Sequence, residues 1–378
     1  MTAQPSYDHR WSRLRALMRE RDVAALVISE NSRTRYLTGY QRYFTATHVP
    51  PVHAVVLTRS GGPHLLVPRH IGLEPGEYRA ERLIPLDFGE AARIEAIGRI
   101  LHEDGAASGR VAIESSFLSH DAVGKLEAAL PGTGFVDADP IMRVATAIKF
   151  PDEIALLCES ARIVDIGVAA AVAACRIGVT ELEVAAESSA AMLRSGAEFI
   201  NHMTVRSGPH AYGNYPFPTA RRLQDGDCVQ IDIGCVYGGY VSDTNRTKIV
   251  GKASAEQLEL LDVGQRMLEA GIAVAAPGAA ASALWQAAVD VADRAGMRDR
   301  VILPFVGHGI GLTLHESPFI NAAATTVLEE GMVFALEPGV YAQGIGCSRP
   351  EDMILVTASG AELLTHFPRD RDLNRGNA

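Results

Sequence analysis

The sequence is poor in cysteine, and no two of its cysteines stand in a CxxC pair. Five cysteines in 378 residues are an odd number at low density, which is not the pattern of a disulfide framework. Residues 1–20 also contain no apolar core of signal-peptide length. We therefore expect a protein with reduced thiols that works in the cytoplasm.

Basic runs and uninterrupted apolar runs are also missing. Lys and Arg are scattered, the longest basic run is Arg221-Arg222, and the formal net charge is −10. This charge argues against nucleic acid or an anionic membrane as a partner. The most apolar stretch, residues 271–292, is interrupted by Pro277-Gly278. It therefore predicts a pair of soluble helices rather than a membrane span.

The first part of the chain alternates strand and helix patterns. Hydrophobic residues (47%) and charged residues (21%) have the shares of an ordinary globular protein, and 378 residues are enough for two domains. Strand patterns lie at 23–29, 36–40 (a strand end), 53–67 (a hairpin) and 111–114, and helix patterns lie at 90–104 and 120–130. This alternation predicts an α/β N-terminal domain over residues 1–148.

The second part, residues 149–378, repeats one order of elements. Helices are predicted at 152–176 and 180–195, before a strand-rich stretch at 198–250. Thr180 and Glu183 have the spacing of a capping box. Helices at 255–275 and 279–296 then precede strands that run from 301 onward. The order indicates an α+β domain built as an internal repeat.

Four carboxylates lie inside apolar, strand-like runs of this second part. A hairpin of residues 228–236 and 241–249 is expected to set Asp232 directly opposite Asp243. A second hairpin, turning near Gly344, is expected to set Glu337 against Glu351. Like charges at facing positions are destabilising, and a buried ionised carboxylate needs a cation or hydrogen bonds.

A metal site is the simplest explanation for these paired carboxylates, although a single Asp in a strand is most often a turn or edge residue. Oxygen ligands with one imidazole suit Mn²⁺, Co²⁺, Fe²⁺ or Zn²⁺, and we expect two ions, with Mn²⁺ favoured. Two ions about 3.5–4 Å apart would activate a water as hydroxide and polarise a scissile carbonyl. The chain is therefore predicted to be a metallohydrolase.

Two histidines complete the predicted site. His308 stands between glycines in Val306-Gly307-His308-Gly309-Ile310-Gly311-Leu312, which favours a metal ligand through a neutral ring nitrogen. His315 lies seven residues further on, where Pro318 argues against a helix and hence against an HExxH site. His315 is either a donor to a developing oxyanion or a core histidine bonded to backbone.

These segments resemble the pita-bread metallopeptidase family of prolidase, aminopeptidase P and methionine aminopeptidase, with the metal-free relative creatinase. The motifs that carry the resemblance are Ile231-Asp232-Ile233-Gly234, Ser242-Asp243-x-x-Arg246-Thr247, Gly307-His308-Gly309-Ile310-Gly311-Leu312, His315-Glu316-x-Pro318, Glu337-Pro338-Gly339 and Arg349-x-Glu351-Asp352. Tyr36-Leu37-Thr38-Gly39-Tyr40 is similar to the creatinase-type N-terminal domain. The resemblance covers nearly the whole chain.

The resemblance implies a dinuclear site and a catalytic histidine. Its ligands would be Asp232, Asp243, His308, Glu337 and Glu351. His315 would bind the substrate carbonyl or the tetrahedral intermediate, and Arg349 would support the site. The complete ligand set disfavours the metal-free creatinase mode.

The resemblance also implies a partner. Relatives with two such domains are usually homodimers in which the N-terminal domain of one subunit closes the site of the other. This makes Arg42, Tyr43, Phe44 and His48 candidates for substrate contact in trans.

The chain departs from the family pattern at two positions. Tyr215 stands where the peptidases usually have a histidine, and nearby His210 is a candidate to compensate. Asn245 stands where the family usually has a threonine. Both changes affect residues around the metal ligands, where substitutions can lower activity about 10- to 100-fold.

These departures leave several functions open. An X-Pro dipeptidase or aminopeptidase is the first hypothesis, with a short peptide or another small molecule as substrate. A hydrolase of a small non-peptide amide or cyclic amidine, of the ectoine hydrolase or creatinase type, is the second. A metal-dependent lyase on a small zwitterion and a non-catalytic binding protein are the remaining alternatives; a lyase needs a base at the substrate Cα.

Overall fold

The computed structural model describes residues 7–41, 53–74, 76–212 and 217–377 of the chain. The chain divides into two compact units, Met1–Thr146 and Ala147–Ala378. Within the described ranges, no helix is both long enough and apolar enough to cross a lipid bilayer.

The first unit is a six-stranded sheet with helices. Its helices are α1 (Asp8–Glu20), α2 (Asn31–Thr38), α3 (Glu90–Glu103), α4 (His120–Ala129) and α5 (Asp139–Ala147). Its strands are β1 (Ala25–Ile28), β2 (Ala54–Thr58), β3 (His64–Pro68), β4 (Arg82–Leu86), β5 (Arg110–Ile113) and β6 (Gly134–Asp137). The spatial order is β4-β3-β2-β1-β5-β6, with antiparallel pairing at β1–β2 and β2–β3 and parallel pairing elsewhere.

Residues 36–40 are not the end of a strand, so that prediction was wrong. They belong mostly to α2, whose first turn is capped by Glu30, because its carboxylate accepts the backbone N–H of Ser32 and of Arg33. The helix ends at Gly39, which has a φ of 69° that favours glycine. The β-rich composition of this short segment is overridden by these two helix-end signals.

The described part of the second unit contains six α-helices and eleven strands. Its helices are α6 (Pro151–Ala174), α7 (Glu181–Arg194), α8 (Pro209–Tyr212), α9 (Ala255–Val274), α10 (Ala281–Arg294) and α11 (Asp370–Leu373). Its strands are β7 (Phe199–Ser207), β8 (Cys228–Tyr237), β9 (Tyr240–Val241), β10 (Thr244–Ile249), β11 (Gly307–Gly309), β12 (Glu316–Phe319), β13 (Val333–Leu336), β14 (Val340–Ala342), β15 (Gly346–Ser348), β16 (Asp352–Thr357) and β17 (Gly360–Leu363).

The predicted repeat of two helices followed by strands is present in this unit. Helices α6 and α7 precede a sheet of order β10-β8-β7, and α9 and α10 precede a sheet of order β12-β11-β13-β16-β17. Thr180 and Glu183 form the predicted capping box at the start of α7. In the first half, Val205, Ile231 and Ile233 pack with α6 and α7 in one hydrophobic cluster. Residues of the opposite strand face are consequently available for a site.

The register of the first hairpin differs from the prediction. Gly238 and Gly239, with φ of 58° and 84°, form a two-residue turn that pairs Tyr237 with Tyr240. This register puts Asn245, not Asp243, directly opposite Asp232. Asp232 and Asp243 are therefore diagonal neighbours, which still brings their side chains within reach of each other.

The second hairpin keeps the predicted register. Leu336 pairs with Asp352, and Val340 pairs with Ser348, so Glu337 and Glu351 follow the same register between these two pairs. Both glutamates lie just outside the regular strands β13 and β16. Regular strand pairing is interrupted at this point. The two side chains therefore need not follow the alternation between sheet faces that regular pairing imposes.

His53 makes the stability of the first unit dependent on pH. Burial, with a smaller contribution from the Arg93 guanidinium, lowers the pKa of His53 from 6.5 to about 4. The unfolded chain therefore binds more protons between these values, so the free energy of unfolding decreases as pH falls from 6.5 toward 4. We expect His53→Leu to remove a pH-dependent contribution of roughly 2–4 kcal/mol, measured by urea unfolding between pH 7 and pH 4.

The matched control is His102→Leu, because His102 is an exposed histidine of α3 in the same unit. This control is expected to leave the pH profile of the native chain unchanged. Parallel profiles for His53→Leu and the native chain would contradict the prediction.

Candidate metal centre

Five predicted ligand residues come from both halves of the second unit. Asp232 lies in the middle of β8, and Asp243 lies between β9 and β10. His308 is the central residue of β11, while Glu337 follows β13 and Glu351 precedes β16. Ligand atoms of Asp243, His308 and Glu351 all lie within 4.8 Å of one another. The fold thus brings together carboxylates that are more than 100 residues apart in the sequence.

His308 is oriented with one ring nitrogen toward the carboxylates. Its Nδ1 lies 3.0 Å from the carbonyl oxygen of Gly309, which accepts a hydrogen bond from the Nδ1–H tautomer. In that tautomer the Nε2 lone pair is directed at the site, 3.3 Å from Glu337 Oε1 and 3.6 Å from Asp243 Oδ2. A backbone partner on the far nitrogen is the usual arrangement of a metal-binding histidine.

Several atoms of the site are buried without a hydrogen-bond partner. They are both carboxylate oxygens of Glu351 and Nε2 of His308. Burial and then the charges of Asp243 and Glu337 raise the pKa of Glu351 well above its usual range. Unpartnered lone pairs in a cluster of like charges are the donor set that a divalent cation would complete, so the residues fit the predicted metal group.

Arg349 neutralises part of the acidic cluster. Its guanidinium donates to Asp232 Oδ2 and lies 3.0 Å from Glu337 Oε2. Burial alone would raise the pKa of Asp232, but the charges of Arg349 and His202 reverse the effect and lower it. Asp232 is consequently ionised, and its orientation is fixed by a charge-assisted hydrogen bond.

His202, on β7, is a site residue that the sequence analysis missed. Its Nε2 lies 3.3 Å from Asp232 Oδ1 and 3.1 Å from Asp243 Oδ1. Burial would lower the pKa of His202, but the carboxylates of Asp243 and Asp232 raise it to about 10. One available signal was the alternation of His202, Thr204 and Arg206, which marks the polar face of a strand beside Asp232.

His315 lies at the rim of this cluster. Its ring centroid is 4.4 Å from that of His308, and its ring stacks at 5.9 Å on Phe319. Burial, together with the nearby His308, lowers the pKa of His315. A neutral imidazole that is exposed to solvent next to the buried carboxylates is suited to donating a hydrogen bond to a bound substrate.

His210 has a different environment. Its Nδ1 lies 3.1 Å from Oε1 of the fully buried Glu181, which also accepts the backbone N–H of Ser207 and of Thr219. Glu181 therefore ties together the chain before and after residues 208–218. The other substrate candidates, Tyr215, Arg42, Tyr43, Phe44 and His48, lie outside the described residues.

Asn245, the second departure from the family pattern, is part of the site's buried wall. Its backbone carbonyl accepts the N–H of Glu351, and both polar atoms of its amide are buried without a hydrogen-bond partner. Because it stands directly opposite Asp232, it borders the same acidic cluster.

Comparison with known proteins agrees with this geometry. Residues 155–358 match the model of metallopeptidase family M24, and residues 10–145 match that of the creatinase/prolidase N-terminal domain. The putative dipeptidase YkvY of Bacillus subtilis is 30% identical, covering 96% of this chain and 99% of its own. The creatinase of Bacillus sp. is 28% identical, covering 94% of this chain and 90% of its own.

The solved structure of the prolidase from Pyrococcus horikoshii OT3 superposes with a TM-score of 0.84 at 27% identity, covering 96% of this chain and 99% of that chain. The fold and the buried acidic cluster are those of a metal-dependent hydrolase. The chain belongs to the metallopeptidase family M24. Its second unit has the pita-bread fold, and an N-terminal domain of the creatinase type precedes it, which confirms the predicted fold class.

Replacing one buried carboxylate should change the stability of the metal-free protein and its binding of metal in opposite directions. We expect Glu351→Gln to raise the melting temperature of the metal-free protein, because a carboxyl whose pKa is raised by burial and by neighbouring carboxylates destabilises the folded state at neutral pH, whereas an amide does not titrate. A gain of roughly 1–3 kcal/mol corresponds to several degrees for a unit of this size. The same variant should lose most of the thermal stabilisation that Mn²⁺, Co²⁺ or Zn²⁺ gives the native chain, measured by scanning calorimetry.

The control is Glu362→Gln, on the exposed side of β17, which should behave like the native chain with and without metal. A metal-free Glu351→Gln protein that is less stable than the native chain would contradict the electrostatic explanation.

Proposed function

We propose that the protein is a metal-dependent dipeptidase or aminopeptidase-like enzyme that hydrolyses X-Pro peptide bonds. The observation that carries the proposal is the buried cluster of donor atoms on Asp243, His308 and Glu351, in which both oxygens of Glu351 and Nε2 of His308 have no hydrogen-bond partner. The similarity to a prolidase over nearly the whole chain supports the substrate class. The metal ligands are Asp232, Asp243, His308, Glu337 and Glu351, which hold two divalent ions.

The oxygen-rich donor set favours Mn²⁺, with Co²⁺, Zn²⁺ and Fe²⁺ as further candidates. Bound ions of this kind polarise a scissile carbonyl and make a water nucleophilic at neutral pH. The chain's own residues provide the geometry for this chemistry. Arg349 holds Asp232 and Glu337 in fixed orientations from one side.

His315 is the proposed donor to the substrate carbonyl. Its ring lies beside His308 and is fixed by stacking on Phe319, so that it borders the ligand cluster without being part of it. Its lowered pKa keeps the imidazole neutral near pH 7, so one ring nitrogen carries a proton and can donate it in a hydrogen bond. Such a donor stabilises negative charge that develops on the carbonyl oxygen.

We further propose a cytoplasmic homodimer, with the N-terminal domain at 1–148 and the catalytic domain at 149–378. The low density of cysteine and the absence of a disulfide among the five cysteines support the location. Tyr43, His48, His210 and Tyr215 are proposed as substrate residues from their places in the sequence.

A second candidate function is hydrolysis of a small non-peptide amide or amidine. The full-length similarity to a creatinase favours it, as does Asn245, whose unpartnered amide borders the cluster. The retained ligand set favours peptide hydrolysis over this alternative.

The proposal is tested with the metal-loaded enzyme and a panel of Ala-Pro, Leu-Pro, Ala-Ala, creatine and a cyclic amidine. We expect the two X-Pro dipeptides to be hydrolysed fastest. His315→Ala should lower kcat by roughly 10²–10³-fold, as the loss of one oxyanion donor does, with a smaller change in KM.

His366→Ala is the control because His366 is an exposed histidine of the same unit, and it should keep full activity. Turnover of creatine or the amidine without turnover of either X-Pro dipeptide would replace the first function with the second. Native kcat in His315→Ala would refute the role of this residue.

A further inference from the structure

His202 lies beside Asp232 on one side of the site, and His308 lies beside Glu337 on the other side, in similar surroundings. Oδ1 of Asp243 lies 3.1 Å from Nε2 of His202, and Oδ2 of the same carboxylate lies 3.6 Å from Nε2 of His308. Each imidazole also approaches one further carboxylate at 3.3 Å, Asp232 for His202 and Glu337 for His308. Asp243 therefore presents one oxygen to each of two similar groups, each with one nitrogen and one further carboxylate.

The separations around His202 fit donor atoms that share one ion. Bonds of about 2.1 Å place adjacent ligand atoms about 3.0 Å apart at octahedral angles and about 3.4 Å apart at tetrahedral angles. The nitrogen–oxygen distances of 3.1 and 3.3 Å at His202 lie within this range. Atoms of His202, Asp232 and Asp243 also lie mutually within 4.8 Å, so that all three can face one ion.

The other ring nitrogen of His202 lies beside the side-chain amide of Asn201. Its Nδ1 lies 3.3 Å from Nδ2 of the Asn201 side-chain amide. Rotation of a side-chain amide by 180° exchanges its oxygen and nitrogen, and the two are assigned from their hydrogen bonds. With the amide oxygen turned to Nδ1–H, the lone pair of Nε2 points to Asp232 and Asp243.

The backbone around His202 is adapted to its ring. Gly234 pairs with His202 across β7 and β8, and a Cβ atom at this glycine would collide with the imidazole. The ladder also shifts register between Ile200 and His202, so that Asn201 is an additional residue in β7. Bulges of this kind are frequent beside active sites, where they aim a side chain.

We propose that His202 is a sixth protein ligand of the metal centre and binds the ion held by Asp232 and Asp243. This inference rests on the proposed function, because it assumes that the cluster holds metal. It gives each ion one imidazole, His202 on one side and His308 on the other. A second nitrogen donor moves the preference of the centre from Mn²⁺ toward Co²⁺ and Zn²⁺, since imidazole suits these ions better.

The test is calorimetric titration of the chelator-treated full-length protein with Zn²⁺ and, separately, with Mn²⁺. For the native chain we expect two binding events. In His202→Ala one event should weaken at least about 10-fold for Zn²⁺ and clearly less for Mn²⁺, while the other event stays within about twofold. The visible absorption spectrum of the Co²⁺-loaded variant should change as well, because one of its nitrogen donors is lost.

Two further variants, Asn201→Ala and His366→Ala, are titrated for comparison. Asn201→Ala keeps the imidazole but removes its Nδ1 partner, so it should weaken the same Zn²⁺ event by a smaller factor than His202→Ala does. His366→Ala removes an exposed histidine of the same unit and should titrate like the native chain. Melting curves of the metal-free variants establish that each one is folded, and His202→Gln replaces His202→Ala where the alanine variant is not.

The outcomes separate the inference from the function on which it rests. Unchanged or tighter Zn²⁺ binding in His202→Ala, with two events in the native chain, would overturn the inference alone. In that case His202 would be only a counter-ion that a metal displaces. A native chain that binds no divalent ion would overturn the proposed function and the inference together.

Discussion

Electrostatic repulsion among buried carboxylates is the constraint on which the catalytic half depends. Asp243, Glu337 and Glu351 are at most 4% exposed, and their oxygens converge on His308. Arg349 balances one side of the cluster, but the oxygens of Glu351 have no hydrogen-bond partner. Buried carboxylates that had only neutral partners would destabilise the fold. The arrangement is therefore that of a cation-binding site, in which a bound cation balances the charge of the carboxylates.

The strands keep these charges in place through a second buried ion pair. Arg246, on β10, is 0% exposed and pairs with Asp352 at 2.7 Å. The same guanidinium donates to the backbone carbonyl of Glu351 at 2.6 Å and to that of Phe367 at 2.7 Å. It therefore satisfies carbonyls where strand pairing is interrupted next to Glu351. The interruption of strand pairing that frees the Glu351 side chain is thus compensated by Arg246, which donates hydrogen bonds to these carbonyls and to Asp352 together.

Much of the fold and of the acidic cluster could be predicted from the sequence, because each depends on local patterns. Helix periodicity, the Thr180 capping box and the glycines around His308 are readable from neighbouring residues. Pairing across strands is less so. Composition alone predicts the wrong partner for Asp232, because it does not distinguish a two-residue turn with two positive φ angles from a longer turn.

His202 is hard to assign from the sequence because its neighbours in space, Asp232 and Asp243, are 30 and 41 positions away, and the alternation of polar residues along its strand marks a face but not a ligand. The side chain of His202 takes no part in the hydrophobic packing that holds its strand against the helices. Val205 and Ile231, which anchor β7 and β8 against the helices, are both 0% exposed and face away from the site. His202 and Arg206 lie on the other strand face, where a substitution alters the ligands and charges around Asp232 but leaves that hydrophobic packing intact. In this architecture the residues around Asp232 and the hydrophobic packing of the strands lie on opposite faces of one sheet, and the two halves of the repeat bring the carboxylates together.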